Sequence, residues 1–213
     1  MEVIPAIIGA DFKEVSEKIE KVKKYTNWVQ IDVVDGKFAP EVTWGVELAN
    51  NLHLWETEDI PKVEMHFMVE KPTRFIDDFV HTSVDRILVH YESVGDLKST
   101  IERIKVDGTD AGVVLNLDTP VDVVAPFVDD IAVIQLMSIA QIGHYGEPFD
   151  EKVLEKIKTL RKNFPNVTIQ IDGGVTLESA QKAKEAGVNN IVVGSGIFKA
   201  NNIEQAINEF NVV

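Results

Sequence analysis

The sequence predicts an α/β protein in which successive βα units close into a single (β/α)₈ TIM barrel spanning residues 1–213. Short runs of β-branched residues alternate with amphipathic stretches along the whole chain, and no linker or low-complexity block interrupts them. Polar residues also occur two apart inside several predicted strands. An open sheet covered by helices on both faces disfavours such residues, whereas the mouth of a barrel accepts them. A doubly wound open sheet is the competing topology.

The predicted strands are the runs in which apolar residues dominate or alternate with polar ones: Val3–Ile8, Trp28–Val33, Lys62–Met68, Arg86–Val89, Ala111–Leu115, Ile131–Met137, Val167–Asp172 and Asn190–Val193. Helices are expected between them, where apolar residues recur at helical spacing: Phe12–Lys24, Thr43–Leu52, Thr73–Val80, Leu97–Lys105, Pro120–Phe127, Phe149–Asn163 and Ile203–Phe210. One more helix follows the seventh strand, with Thr176 as its N-cap and Gly187 at its end.

Composition and charge limit the partners and the cellular compartment that are expected for this protein. The formal net charge is -14, so nucleic acid and acidic membrane surfaces are not expected as partners. The chain has no cysteine, which excludes disulfides and thiolate zinc sites and agrees with a cytoplasmic protein. Neither a signal peptide nor an apolar run of membrane-spanning length is evident in the sequence. Because the overall charge repels phosphorylated metabolites, any phosphate site is expected to be a local one made by backbone N–H groups.

The ends of the seventh and eighth strands are the predicted phosphate site. Asp172 is followed by Gly173 and Gly174, and the eighth strand ends at Gly194 and Ser195. Two neighbouring parallel strands that end in glycine can place several backbone N–H groups side by side around a phosphate. Glycines also simply make tight βα turns, but the adjacent carboxylate favours a ligand site with chemistry.

Polar side chains on three strands are expected to converge near the barrel mouth. They are Gln30 and Asp32 in the second strand, Glu64 and His66, with Met68, in the third, and Gln170 and Asp172 in the seventh. A lone histidine in a strand is more often a hydrogen-bonded core residue than a ligand. Three strands that deliver polar groups at matching depth favour a functional site instead.

These residues lie in motifs that resemble those of the ribulose-phosphate 3-epimerase family over nearly the full length. The similar segments are Pro5-Ala-Ile-Ile-Gly-Ala-Asp11-Phe12, Gln30-Ile-Asp32-Val-Val-Asp35-Gly36-Lys-Phe38-Ala-Pro40, Met65-His66-Phe-Met68-Val, His90-Tyr-Glu92, Leu115-Asn116-Leu-Asp-Thr119-Pro120, Asp172-Gly-Gly-Val and Gly194-Ser-Gly-Ile-Phe198. Any one of these segments would be a weak signal, but their order along successive strand ends is specific.

The resemblance implies a cytoplasmic isomerase of carbohydrate metabolism that interconverts ribulose 5-phosphate and xylulose 5-phosphate. It places the acid–base pair at Asp32 and Asp172, on opposite faces of the sugar. It further implies a divalent metal (zinc, iron, manganese or magnesium) at the positions of Asp32, His66, Asp172 and Gln30. Contacts to the phosphorylated ketose are assigned to His66, Met68, Met137, Gly173, Gly174, Gly194 and Ser195, whereas the exact sugar and the oligomeric state stay open.

The sequence also departs from the family pattern at several positions. Gln30 replaces a histidine ligand, and an amide oxygen binds zinc or iron less well than imidazole does. Ala6 replaces a serine and Val34 a methionine of the sugar site, and Lys37 and Glu41 also differ. The segment from Met137 to Phe149 has fewer glycines than the phosphate-binding loop of the family and has gained His144, Tyr145 and Glu147.

Two other functions remain open from the sequence. A sugar-phosphate lyase or decarboxylase of this barrel type would carry a lysine two residues after Asp32, where this chain has Val34. A non-catalytic sugar-phosphate-binding barrel that has lost its metal is suggested by Gln30 and the altered loop. Retention of both aspartates favours the epimerase over that alternative.

Overall fold

The computed structural model describes residues 1–43, 59–143 and 146–213. Eight parallel strands form one closed barrel in the order of the chain, and β1 pairs with β8. The strands are β1 (Glu2–Ile7), β2 (Trp28–Val34), β3 (Lys62–Met68), β4 (Arg86–His90), β5 (Asp110–Leu115), β6 (Val133–Met137), β7 (Ile169–Asp172) and β8 (Asn190–Val193). The predicted barrel is confirmed, and the open doubly wound sheet is excluded because no strand of the closed barrel is left as an edge.

The described helices surround the barrel. They are α1 (Phe12–Val22), α2 (Ile76–Val80), α3 (Leu97–Ile104), α4 (Lys152–Asn163), α5 (Leu177–Ala186), α6 (Ser195–Phe198) and α7 (Ile203–Val212). Short 3₁₀ segments lie at Pro72–Arg74, Tyr91–Ser93, Lys105–Asp107 and Val121–Phe127. No helix within the described ranges is both long and apolar enough to cross a membrane.

Several predicted boundaries differ from the structure. The helix expected at Pro120–Phe127 is a 3₁₀ segment, because Pro126 inside it has no N–H to donate to an α-helical hydrogen bond. The helix expected at Thr73–Val80 is divided into a 3₁₀ turn and α2. β7 begins at Ile169 and not at Val167, whose carbonyl accepts a hydrogen bond from the Arg161 guanidinium. The helix expected at Thr43–Leu52 lies, beyond Thr43, outside the described residues.

Local signals fix the ends of two helices. The side chain of Asp11 accepts a hydrogen bond from the backbone N–H of Glu14 at the start of α1. Thr176 and Ser179 form a capping box at the start of α5, as expected from the sequence. Gly187 ends α5 with φ of +107°, a left-handed conformation that glycine adopts without strain.

The main apolar core lies between the barrel and its helices, whereas the inside of the barrel holds buried polar side chains beside two smaller apolar clusters. Val15, Ile19 and Val22 of α1 are buried in that outer core. Within the barrel, the strand register sets Asp32 level with His66 and Gln30 level with Glu64. The same register sets Met137 level with Asp172 and Gln135 level with Gln170. Matching registers therefore stack buried polar side chains in layers below the mouth of the barrel.

Candidate functional site

Asp32, His66, Asp172 and Gln30 meet in the barrel, as the sequence predicted. Nε2 of Gln30 donates to Oδ1 of Asp32 and to Oδ2 of Asp172, each over 2.8 Å. Nδ1 of His66 lies 3.1 Å from Oδ1 of Asp32 and 3.4 Å from Oδ2 of Asp172. All four side chains are buried, so a single amide and a single imidazole join two carboxylates away from bulk water.

Burial and mutual contact shift the protonation of this group. Burial raises the pKa of Asp32, and the nearby Asp172 carboxylate adds to that effect. For His66 burial acts to lower the pKa, but the hydrogen bonds that its Nδ1 donates to Asp172 and Asp32 prevail and raise the pKa to about 9. The site therefore favours a proton on Nδ1 of His66 beside the two acids, and a metal ion bound at Nδ1 would replace that proton.

A second histidine, which the sequence placed in a motif but not in the site, orients the first. Nε2 of His90 lies 2.9 Å from Nε2 of His66, and the two rings are stacked with centroids 5.0 Å apart. Burial lowers the pKa of His90 to about 4, so His90 is neutral and can accept from His66. Nδ1 of His90 lies 3.4 Å from Oε2 of Glu92, close but poorly aligned for a hydrogen bond. His90 thus directs Nδ1 of His66 at the aspartates.

A further polar layer lies beneath the aspartates, and its member Gln135 was missed in the sequence. Nε2 of Gln135 donates to Oδ2 of Asp172 over 3.2 Å, and Gln135 is fully buried. The signal was present, since Gln135 is the one polar residue in the apolar run from Ile131 to Met137 and shares a face with Met137.

Three of the predicted metal ligands fit a divalent ion. One ligand atom from each of Asp32, His66 and Asp172 lies within 4.8 Å of the others. Two carboxylate oxygens and one imidazole nitrogen form a donor set used by divalent metals in catalytic sites, where a further position stays open. Gln30 does not fit as a fourth ligand in this arrangement, because it turns its NH₂ group, a donor, toward both carboxylates.

The pocket above these residues contains most of the predicted substrate contacts. It is lined by Asp32, Met68, Met137, Asp172, Gly173, Gly174, Gly194 and Ser195, together with Glu147 from the altered loop. His66 is fully buried and is not among the lining residues, so its predicted contact with the sugar stays a prediction. His144 and Tyr145 lie outside the described residues.

Gly173 and Gly174 are required by the close approach of the altered loop. Both have positive φ, +115° and +63°. A Cβ on Gly174 would lie 2.5 Å from the backbone nitrogen of Phe149 and 2.7 Å from the carbonyl oxygen of Glu147. The loop backbone therefore packs directly against the glycine turn that ends β7.

Comparison with known proteins places this geometry in a family. Residues 2–198 match the model of the ribulose-phosphate 3 epimerase family. The chain is 36% identical to the ribulose-phosphate 3-epimerase of Bacillus subtilis, with 98% of this chain and 97% of that protein covered. It is 35% identical to the chloroplastic ribulose-5-phosphate-3-epimerase of Arabidopsis thaliana, over 96% of this chain and 74% of that protein. The tryptophan synthase complex of Pyrococcus furiosus shares the fold, with a TM-score of 0.74 at 15% identity over 100% of this chain and 98% of that chain.

Proposed function

Because this chain belongs to the ribulose-phosphate 3-epimerase family, we propose that it interconverts ribulose 5-phosphate and xylulose 5-phosphate by moving a proton at C3. The membership confirms the sequence prediction of an isomerase of that family. The arrangement of Asp32 and Asp172 is the observation that carries the proposal. One oxygen of each carboxylate, Oδ1 of Asp32 and Oδ2 of Asp172, accepts a hydrogen bond from the Gln30 amide. Among the described hydrogen bonds none ends on the other oxygen of either residue, and both residues line the pocket.

The two free oxygens suit a two-base reaction. Asp32 as a carboxylate removes the C3 proton of ribulose 5-phosphate, and the electrons of the broken C–H bond form an enediolate with C2. Asp172 in its acid form then gives a proton to C3 from the other face. Such a pair needs one carboxyl ionised and the other protonated at the start. Because both carboxyls accept from the same Gln30 amide, they are close enough to share one proton, and the reaction from ribulose 5-phosphate begins when that proton is on Asp172.

We infer that Asp32, His66 and Asp172 hold a divalent ion, which is one of zinc, iron, manganese or magnesium. When bound, the ion supplies positive charge next to the oxygen that becomes negative as the proton leaves C3. His66 contributes here through its orientation, since His90 directs Nδ1 toward the aspartates. Gln30 holds both carboxylates in place by donating to each of them.

The other two functions receive less support. A lyase or decarboxylase mechanism with a lysine is disfavoured because no lysine is among the described residues that line the pocket. Asp32 and Asp172 both accept from Gln30, and each has a second oxygen available to a ligand in the pocket. A protein that only binds a sugar phosphate has no need for this arrangement. The lack of cysteine continues to favour a cytoplasmic location, which fractionation of cells that express the tagged chain would test.

The reaction is tested by incubation with ribulose 5-phosphate in heavy water. Since separate groups remove and return the proton, we expect xylulose 5-phosphate with deuterium at C3, detected by NMR and mass spectrometry. Magnesium, manganese, iron and zinc are supplied in turn. Absence of both inversion and exchange under every condition would establish the non-catalytic function instead.

Gln30→His is expected to increase the amount of divalent metal that the purified protein retains. The change removes an amide whose NH₂ group donates hydrogen bonds to Asp32 and Asp172, and it adds an imidazole nitrogen that can bind the metal. Metal is measured by inductively coupled plasma mass spectrometry after dialysis. His66→Gln, which removes a ligand, should retain less metal than wild type and serves as the reference. Equal, stoichiometric metal in wild type and Gln30→His would show that Gln30 is an adequate ligand.

Gly194→Val is expected to weaken the binding of ribulose 5-phosphate about tenfold or more, because Gly194 lines the same pocket as Gly173, Gly174 and Ser195 and a larger side chain there would crowd a bound phosphate. Wild type should also bind the phosphorylated sugar more tightly than free ribulose. Calorimetric titration of both sugars measures the effect. Gly95→Val is the matched control, since no atom lies within 4 Å of a Cβ at that position. Equal affinity of wild type for the free and phosphorylated sugars would disprove the phosphate cradle.

A further inference from the structure

A chain of buried hydrogen bonds leads from the lower end of the barrel to the acid–base pair. It begins at Arg86, whose Nη1 donates to Oε2 of Glu64 over 3.0 Å. The other oxygen of Glu64 accepts from Nε2 of Gln170 over 2.7 Å. Because an ionised carboxylate only accepts hydrogen bonds, Gln170 must turn its NH₂ group toward Glu64.

This orientation of Gln170 determines the orientation of Gln135. The second N–H of the Gln170 amide donates to Oε1 of Gln135 over 2.7 Å, and the Gln170 oxygen accepts from Asn190 over 3.1 Å. Because Oε1 of Gln135 accepts from Gln170, the NH₂ group of Gln135 is the part of the amide that faces the aspartates. That group reaches Oδ2 of Asp172 at 3.2 Å. The neighbours therefore fix both amides. Glu64 accepts from Arg86 and from Gln170, and from Gln170 the donation continues upward through Gln135 to Asp172.

Gln135 acts on one aspartate only. Gln30 donates to both carboxylates, whereas among the described hydrogen bonds Gln135 reaches Asp172 at 3.2 Å and not Asp32. The same nitrogen of Gln135 has two longer contacts, 3.4 Å to Nδ1 of His66 and 3.8 Å to Sδ of Met137. We propose that Gln135 is a positioning residue that holds Oδ2 of Asp172, so that Oδ1 is aimed at C3 of the sugar. Proton transfer on the Asp172 face then depends on Gln135, and transfer on the Asp32 face does not. The proposal rests on the epimerase function proposed above.

Gln135→Met tests this, because methionine has a similar volume but cannot donate a hydrogen bond. We expect kcat to fall about 10- to 100-fold, the range that loss of a hydrogen bond to a charged group supports. The informative readout is the ratio of deuterium washed into recovered substrate to product formed, measured in heavy water from each epimer. From ribulose 5-phosphate the ratio should rise, since the intermediate returns through Asp32. From xylulose 5-phosphate it should fall, since Asp172 must act first.

Two further variants keep the test decisive. Gln135→Asn retains an amide in the strand but withdraws it by one carbon, so it should shift the two ratios in the same opposed directions even if the methionine variant folds poorly. Gln181→Met makes the same change at an exposed position of α5 and should leave both ratios unchanged. All proteins are assayed with the same excess of manganese. If wild type epimerises but the ratios stay equal or move together, Gln135 only fills space and the proposal is wrong. If wild type does not epimerise, it is the proposed function that fails.

Discussion

Asp172→Asn and Asp32→Asn are each expected to reduce the rate of epimerisation by about 10²–10⁴-fold, the usual effect of losing a general acid–base group. Each change removes one of the two carboxylates that line the pocket and share the Gln30 donor. Loss of a ligand to the inferred metal can add to the effect. The rates are measured in both directions by a coupled assay, with metal content determined in parallel.

Deuterium exchange separates the two aspartates. A variant that keeps one competent base can still wash deuterium into its substrate at C3 while failing to invert it, and the epimer that exchanges identifies the remaining base. Asp122→Asn makes the same change on an exposed residue outside the barrel and should leave the rate unaltered. Retention of full activity in either active-site variant would remove that aspartate from the mechanism.

Arg86→Met is expected to lower the free energy of unfolding by about 3–5 kcal/mol, since removal of one partner leaves the other charge buried and uncompensated. Glu64 is fully buried, and its carboxylate contacts Nη1 of Arg86 at 3.0 Å. The guanidinium also stacks over Trp28 at 4.1 Å, so part of the loss is packing. Urea denaturation measures the change. Arg103→Met breaks an exposed pair with Asp77 and should change the midpoint little.

The effect of Arg86→Met should depend on pH with a definite sign. Burial raises the pKa of Glu64, and Arg86 acts against this shift, so removal of Arg86 raises that pKa further. The folded variant then binds a proton at Glu64 more readily than the unfolded chain does, and its stability increases as the pH falls through the raised pKa. The difference in the free energy of unfolding between wild type and Arg86→Met should therefore become smaller as the pH falls. A deficit that grows on acidification would show that Glu64 is not the group left unpaired.

The barrel could be predicted from the sequence because its strands are short, regular and separated by amphipathic stretches. The period of two in β2, β3 and β7 placed the polar residues on one face, and parallel registers then brought them together. Boundaries were less predictable where long-range contacts decide them. At the start of β7, for example, the carbonyl of Val167 is bonded to Arg161 of another element, while Thr168 already accepts from the neighbouring strand at Ile134.

Within the site, residue types were predictable but their partners were not. Asp32, His66 and Asp172 were identified from their strand positions, yet the contact of one Gln30 amide with both carboxylates depends on distances between β2 and β7 that no local pattern encodes. For the same reason the full burial of His66 was not predictable, and its contact with the sugar stays a prediction. Gln135 was missed because the apolar run around it indicated only packing. Its contact with Asp172 on β7 depends on the register between β6 and β7, which the sequence does not show.

The last strand to be synthesised completes the barrel by pairing with the first, since Glu2 lies opposite Asn190 and Pro5 opposite Val193. A ribosome that adds about 5–20 residues per second therefore displays β1 for roughly 10–40 s before β8 exists. During that interval β1 and the newest strand have open edges that can pair with strands of neighbouring nascent chains. The amount of folded protein obtained from a cell is therefore expected to depend on translation speed and on chaperones that cover these edges, independently of the stability of the finished barrel.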